Sequence, residues 1–228
     1  GDIKNIFDDI KNVTGVDVVN LVWRRLATTQ NALPYLWGVL RPLYESGFIN
    51  HQAVEFQNQL VLPKLPKFND EILLASGIDK LGKITINNIL VSYNRTNAVN
   101  LIALQAALIT LEGVKEVTLD QTHKKTINDS LLPMPRLPAI SDLNPTIISL
   151  VEELNSLGEE DGTIIASMYR HLAYWPNYLA LVKIALEPIA SSGELKRAID
   201  KSREQSAKKA LSLSKFLAPF PPSISPSC

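Results

Sequence analysis

The chain has 228 residues, 46% of them hydrophobic, enough for one sizeable core or for two small ones. Lys+Arg and Asp+Glu stand at 23 each, so no net charge recommends nucleic acid or another polyanion as a partner. The single cysteine, Cys228, excludes an internal disulfide and a thiolate metal cluster. The most apolar run, Val99 to Leu111, is shorter than the roughly 20 residues that span a bilayer. With no stretch that reads as a signal peptide, these features predict a soluble, cytoplasmic protein without a membrane partner.

Ile3, Ile6, Phe7 and Ile10 recur at helical spacing and predict a first helix over Ile3 to Val13, stopped by Gly15. Asp17 is placed to cap a second helix with Val18, Val19, Val22 and Leu26 on one face. A turn at Thr28 to Asn31 leads to a third, with Leu33, Leu36, Trp37 and Leu40 inward and a kink at Pro42. A fourth over Asn50 to Leu62 ends at Pro63 and Pro66. Asp70 caps a short run to Gly77, a helix over Ile84 to Tyr93 follows, and another from Asn97 to Leu111 is apolar nearly all round, as befits a helix at the centre of its half. Residues 113–145 are charged and then proline-rich, a stiff linker. Beyond it come a helix through Ile147 to Leu154, one capped by Asp161 or Thr163, a turn at Trp175-Pro176-Asn177, a helix over Tyr178 to Ala190 and a long charged helix over Glu194 to Leu217. Residues 218–228, rich in proline and serine, are expected to form a mobile tail. No segment alternates with period two, so the predicted fold is all-α.

Residues 23–43 and 169–189 align without a gap at an offset of 146, with seven of 21 positions identical, where about one or two would arise by chance. The shared residues include Arg24/Arg170, Leu26/Leu172, Asn31/Asn177 and Pro42/Pro188. We read an internal duplication, with 1–112 as the first helical repeat and 146–217 as a shorter second. Two such repeats are expected to pack as a pseudo-twofold dimer, with any pocket at their interface.

Arg24 and Arg170 sit among apolar neighbours and need paired donors. They either bind a carboxylate ligand or tether the chain to helix-end carbonyls or an acid, and their repetition favours the tether. Asn31 and Asn177 read as helix caps. Asn94, Asn97 and Asn100 are spaced by three; Asn97 suits a cap, whereas Asn100 lies inside the helix and would supply a polar group at the bottom of an apolar pocket. The aromatic set Trp23, Tyr35, Trp37, Tyr169, Tyr174, Trp175 and Tyr178 serves the core or lines a pocket. His51, His123 and His171 are dispersed, which speaks against a metal site. No phosphate loop, Cys-x-x-Cys or Gly-x-Ser-x-Gly occurs.

The stretches Val18-Val19-Asn20-Leu21-Val22-Trp23-Arg24-Arg25-Leu26-Ala27, Trp37-Gly38-Val39-Leu40-Arg41-Pro42, Tyr93-Asn94-Arg95-Thr96-Asn97 and Ser167-Met168-Tyr169-Arg170-His171-Leu172-Ala173-Tyr174-Trp175-Pro176-Asn177-Tyr178-Leu179 together resemble the group I 2-haloacid dehalogenases. That resemblance implies an all-helical, duplicated, alkylhydroperoxidase-D-like fold and a cofactor-free, metal-free hydrolase in which an aspartate activates water. It implies Asn97 as the assisting asparagine and Trp37 and Tyr169 as pocket lining; Asn100, Ser167 and Arg170 are further substrate-binding candidates. The aspartate position holds Met168, and a thioether accepts no proton at neutral pH. Three expectations follow: dehalogenation, other chemistry with a base such as Glu55 or Asp161, or a catalytically silent module that binds a small carboxylate or a protein partner. A peroxidase-like activity would need a cysteine pair that is absent. Monomer and homodimer both remain open.

Overall fold

The computed structural model describes residues 2–112, 134–158 and 165–217. Among them are ten α-helices, a 3-10 turn and no strand. In chain order these are α1 (Asp2–Thr14), α2 (Leu21–Leu26), α3 (Ala32–Glu45), α4 (Phe48–Gln59), α5 (Asp70–Ala75), α6 (Lys80–Leu111), the turn Ile140–Asp142, α7 (Pro145–Ser156), α8 (Ser167–Leu172), α9 (Pro176–Ser191) and α10 (Glu194–Ser214). The all-α expectation therefore holds for the described residues.

The described residues gather into two compact units that interleave along the chain. The first takes 2–60, 95–112 and 203–217, and the second takes 61–94, 134–158 and 165–202. The units are thus not the successive stretches 1–112 and 146–217, because the long helices α6 and α10 each contribute residues to both. Of the expected linker, 134–144 is described and contains the 3-10 turn; its earlier part, the caps Asp161 and Thr163, His123 and the tail with Cys228 lie outside the described residues.

In the first unit α3 packs on α1, α2 and α4. Its core joins Ile10, Trp23, Leu33, Leu40, Ile49 and Ile102, each at most 1% exposed. Alanines 103, 106 and 107 of α6 are fully buried there, so small side chains let the neighbouring helices approach the α6 backbone closely. In the second unit α7, α8 and α9 pack on one another, and Ile89, Leu154, Leu172 and Leu179 are buried at its centre.

Several local features recur at the offset of 146. Helix α8 starts and ends that far after α2, α9 ends that far after α3, and α10 starts that far after α4. Gly47 and Gly193 both take φ +74°, a left-handed conformation that glycine adopts without penalty. Ahead of each, a serine hydroxyl, Ser46 or Ser192, donates to the carbonyl three residues back at 3.0 Å and accepts from the amide two residues on.

Some boundaries differ from the sequence expectation. Helix α6 runs unbroken through Tyr93 to Asn97, where two helices were expected. No glycine or proline interrupts that stretch, and its polar side chains find tertiary partners: Thr96 and Asn97 accept from Asn20, and Arg95 donates to the Thr14 carbonyl. Helix α2 starts at Leu21, with Asn20 and not Asp17 before it. Asn69, one residue before the expected Asp70, caps α5 by accepting from the Ile72 amide at 2.9 Å. Asn31 occupies the position before α3 with φ 58° and makes no side-chain cap, while Asn177 lies within α9 and donates to the Ser76 carbonyl at 2.9 Å.

Candidate functional site

The first unit holds a buried polar cluster at the meeting of α2, α3 and α6. Trp23, Trp37 and Tyr44 form an aromatic trio with ring centroids 5.4 to 6.0 Å apart. Trp23 Nε1 donates to Asn100 Oδ1 at 3.2 Å, and the Tyr44 hydroxyl donates to the same oxygen at 2.8 Å. An indole N–H can only donate, so the atom it meets must be the amide oxygen, which orients the Asn100 side chain. Burial pushes the Tyr44 phenol well above its ordinary range, which keeps it neutral and able to donate.

Both lone pairs of Asn100 Oδ1 are therefore used, and its amide nitrogen makes no hydrogen bond among the described residues. Asn100 is only 7% exposed, and it lines a recess of about 20 Å³. That volume holds about one water or one ligand oxygen. Thr14, Asn20, Asn50, Arg95 and Thr96 surround it. Asn20 Nδ2 donates to Thr96 Oγ1 at 3.0 Å and to Asn97 Oδ1 at 3.2 Å, and Arg95 Nη2 reaches the Thr14 carbonyl at 3.3 Å. The lining thus includes one cation, Arg95, and no acid.

Trp37, an expected lining residue, is buried within this unit and donates to Asp9 Oδ2 at 2.7 Å. Arg41 grips the same carboxylate through Nε at 2.8 Å and Nη2 at 3.2 Å, and together the Arg41 and Trp37 bonds hold Asp9 below the usual carboxylate range. Asn97 is exposed on α6 and accepts from Asn20; it is neither a cap nor a buried site group.

Ser167, Tyr169 and Arg170 belong to the second unit, as does Met168. Ser167 is buried, and Met168 and Tyr169 pack half-buried against that unit's core. Arg170 donates through Nε, at 3.1 Å, and Nη2 to the Pro138 carbonyl, so its guanidinium tethers the segment before the 3-10 turn. His171 Nε2 faces the Pro135 carbonyl at 3.0 Å and must carry the proton there, which leaves Nδ1 to accept from the Tyr93 hydroxyl at 2.7 Å in the neutral ring. Tyr174 completes the tie by donating to the Arg136 carbonyl at 2.8 Å.

The two substitute bases fare differently. Glu55 is 2.7 Å from Lys209 Nζ, whose hydrogen bond and charge hold it below the usual carboxylate range, a poor state for a general base at neutral pH. Asp161 lies outside the described residues. Among the described residues no group of three His, Cys, Asp or Glu is arranged to hold a metal, and no helix is long and apolar enough to cross a membrane. An open groove of about 490 Å³ in the second unit is lined by both Arg136 and Asp142, charges of opposite sign, and by the exposed Tyr174.

Sequence reasoning singled out Asn100 but not Tyr44, Asn20, Asn50 or Arg95 as its surroundings. The signal available was the three-residue spacing of Asn94, Asn97 and Asn100, which points to α6 but not to what faces it. No family model matches the chain, and no curated protein matches its sequence.

Proposed function

We propose that this chain is an internally duplicated helical protein that binds a small carboxylate at the recess floored by Asn100 and does not hydrolyse it. The observation that carries this reading is the Asn100 amide: its oxygen is saturated by Trp23 and Tyr44, so its nitrogen is a fixed donor at the bottom of a recess beside Arg95. One carboxylate oxygen fits the recess by volume. Arg95 supplies the complementary charge, and Asn20, Asn50 and Thr96 offer polar contacts at the rim. The recurrence of helix ends, left-handed glycines and serine turns at one offset supports the duplication. Among the described residues the recess lining holds no carboxylate to act as a general base, and the candidate Glu55 is ion-paired with Lys209.

The test is calorimetric titration with propanoate and 2-chloropropanoate, together with halide release from the latter. The reading expects binding of both acids, at least tenfold weaker in Arg95→Gln, and no halide. No binding by the parent, or binding that Arg95→Gln leaves unchanged, would overturn the assigned recess. Halide release by the parent would overturn the silent part of the reading and restore the hydrolase expected from the dehalogenase resemblance.

A further inference from the structure

The groove of the second unit carries charges of both signs that do not pair with each other. Arg136 and Asp142 line its space of about 490 Å³, and both are exposed. Among the described residues the Arg136 guanidinium makes no hydrogen bond or ion pair; only its carbonyl is engaged, by Tyr174. Asp142 uses Oδ2 to accept from the Ala139 amide at 3.0 Å, which leaves Oδ1 available. Asn144 uses its oxygen on the Ile147 amide at 2.9 Å, which leaves its amide hydrogens available. The backbone beneath these groups is held in place, since Tyr174 and Arg170 grip the carbonyls of Arg136 and Pro138. With its hydroxyl so engaged, the half-exposed Tyr174 offers the groove an aromatic ring, and Pro138, Leu143, Ile147 and Ala173 add apolar lining.

We propose that this groove binds a free α-amino acid with an apolar side chain, its carboxylate on Arg136, its ammonium on Asp142 and its side chain against Tyr174. An anion alone would face the Asp142 carboxylate and a cation alone the Arg136 guanidinium. A molecule that carries both charges is what the lining complements. The guanidinium fork and the Asn144 amide suit a carboxylate, and Asp142 Oδ1 accepts from the ammonium. The volume lies within the roughly 300–1,000 Å³ of small-molecule pockets, and the ring of Tyr174 supplies a flat apolar surface for the side chain. The groove shares no residue with the recess at Asn100, so the two assignments stand or fall separately.

Trp175 gives a local readout, because its ring lies edge-on to Tyr174 with centroids 6.0 Å apart. Titration of the ¹⁵N-labelled full chain with L-phenylalanine is expected to move the Trp175 indole resonance, identified by its loss in Trp175→Phe, to a saturating end point. 3-Phenylpropanoate and 2-phenylethylamine, which each lack one of the two charges, are expected to need about fivefold higher concentration or more for the same displacement. Arg136→Gln and Asp142→Asn are each expected to weaken L-phenylalanine binding by a similar factor. The first removes a guanidinium without internal partners, and the second keeps an oxygen for the Ala139 amide. An unchanged circular dichroism spectrum verifies the fold of each. A Trp175 resonance that L-phenylalanine leaves in place, singly charged analogues that bind as well as the zwitterion, or variants that bind it as the parent does would each overturn the proposal.

Discussion

Asn100 shows how one buried amide can organise three helices. Its oxygen is the common acceptor for an indole from α2 and a phenol from α3, so removing it leaves two buried donors without partners. Asn100→Leu is accordingly expected to destabilise the fold by about 2–4 kcal/mol in denaturant titration, since each unsatisfied buried group costs about 1–3 kcal/mol. Asn100→Asp retains both acceptor bonds but turns the recess donor into an acceptor, and is expected to abolish carboxylate binding while the protein still folds. Residue-level reading of the sequence went this far because an asparagine inside an apolar helix is conspicuous. It could not foresee the destination of Arg170, whose acceptor is a carbonyl 32 residues away. The repeated arginine did suggest a tether, and Arg170 has that role; its acceptor depends on how the proline segment packs, which no local pattern encodes.

At the scale of the element, helix existence was legible and helix ends were less so. Apolar residues at three- and four-residue spacing announced α1, α3, α7 and α9, because a helix survives by burying one stripe. The gap expected in α6 between Tyr93 and Asn97 does not exist, because polar residues that favour turns in isolation are here held by Asn20 and Thr14. Caps proved hard to assign for the same reason: Asn177 donates to a tertiary partner, Ser76, and Asn31 caps nothing. The glycines allow a direct check. Gly47 and Gly193, each at φ +74°, are expected to lose about 1–2 kcal/mol on replacement by alanine, the penalty for a side chain in the left-handed region. Gly38 sits inside α3, and a Cβ at that position would meet nothing within 4 Å, so Gly38→Ala is expected to gain about 0.5–1 kcal/mol. Thermal unfolding of the three variants reads both signs, and equal effects would contradict the assigned conformations.

For the whole molecule, neutrality hides a set of specific ion pairs. Asp9 with Arg41 and Glu55 with Lys209 belong to the first unit, and Glu153 with Lys183, at 2.6 Å, to the second. Each carboxylate is held below its ordinary range, chiefly by the hydrogen bond from its basic partner. A carboxylate so lowered binds fewer protons folded than unfolded, so its contribution is present above the unfolded value near 4 and disappears as pH falls through the folded value. Stability is therefore expected to stay level from about pH 7 to pH 5 and to fall below about pH 4, with a shallower fall in Asp9→Asn; denaturant midpoints across this range measure it. At this scale the sequence was least informative. Charge totals cannot reveal pairs more than 150 residues apart such as Glu55 and Lys209, and a linear division into 1–112 and 146–217 cannot anticipate units that share α6 and α10.

The claim on which the functional account rests is that a carboxylate reaches the Asn100 amide, and the indole of Trp23, bonded to that amide, reports on it. Titration of the ¹⁵N-labelled protein with propanoate should shift the Trp23 indole resonance, identified by its loss in Trp23→Phe, to a saturating end point while the Trp175 indole of the second unit stays in place. A Trp23 resonance that does not move at saturating propanoate would contradict the account.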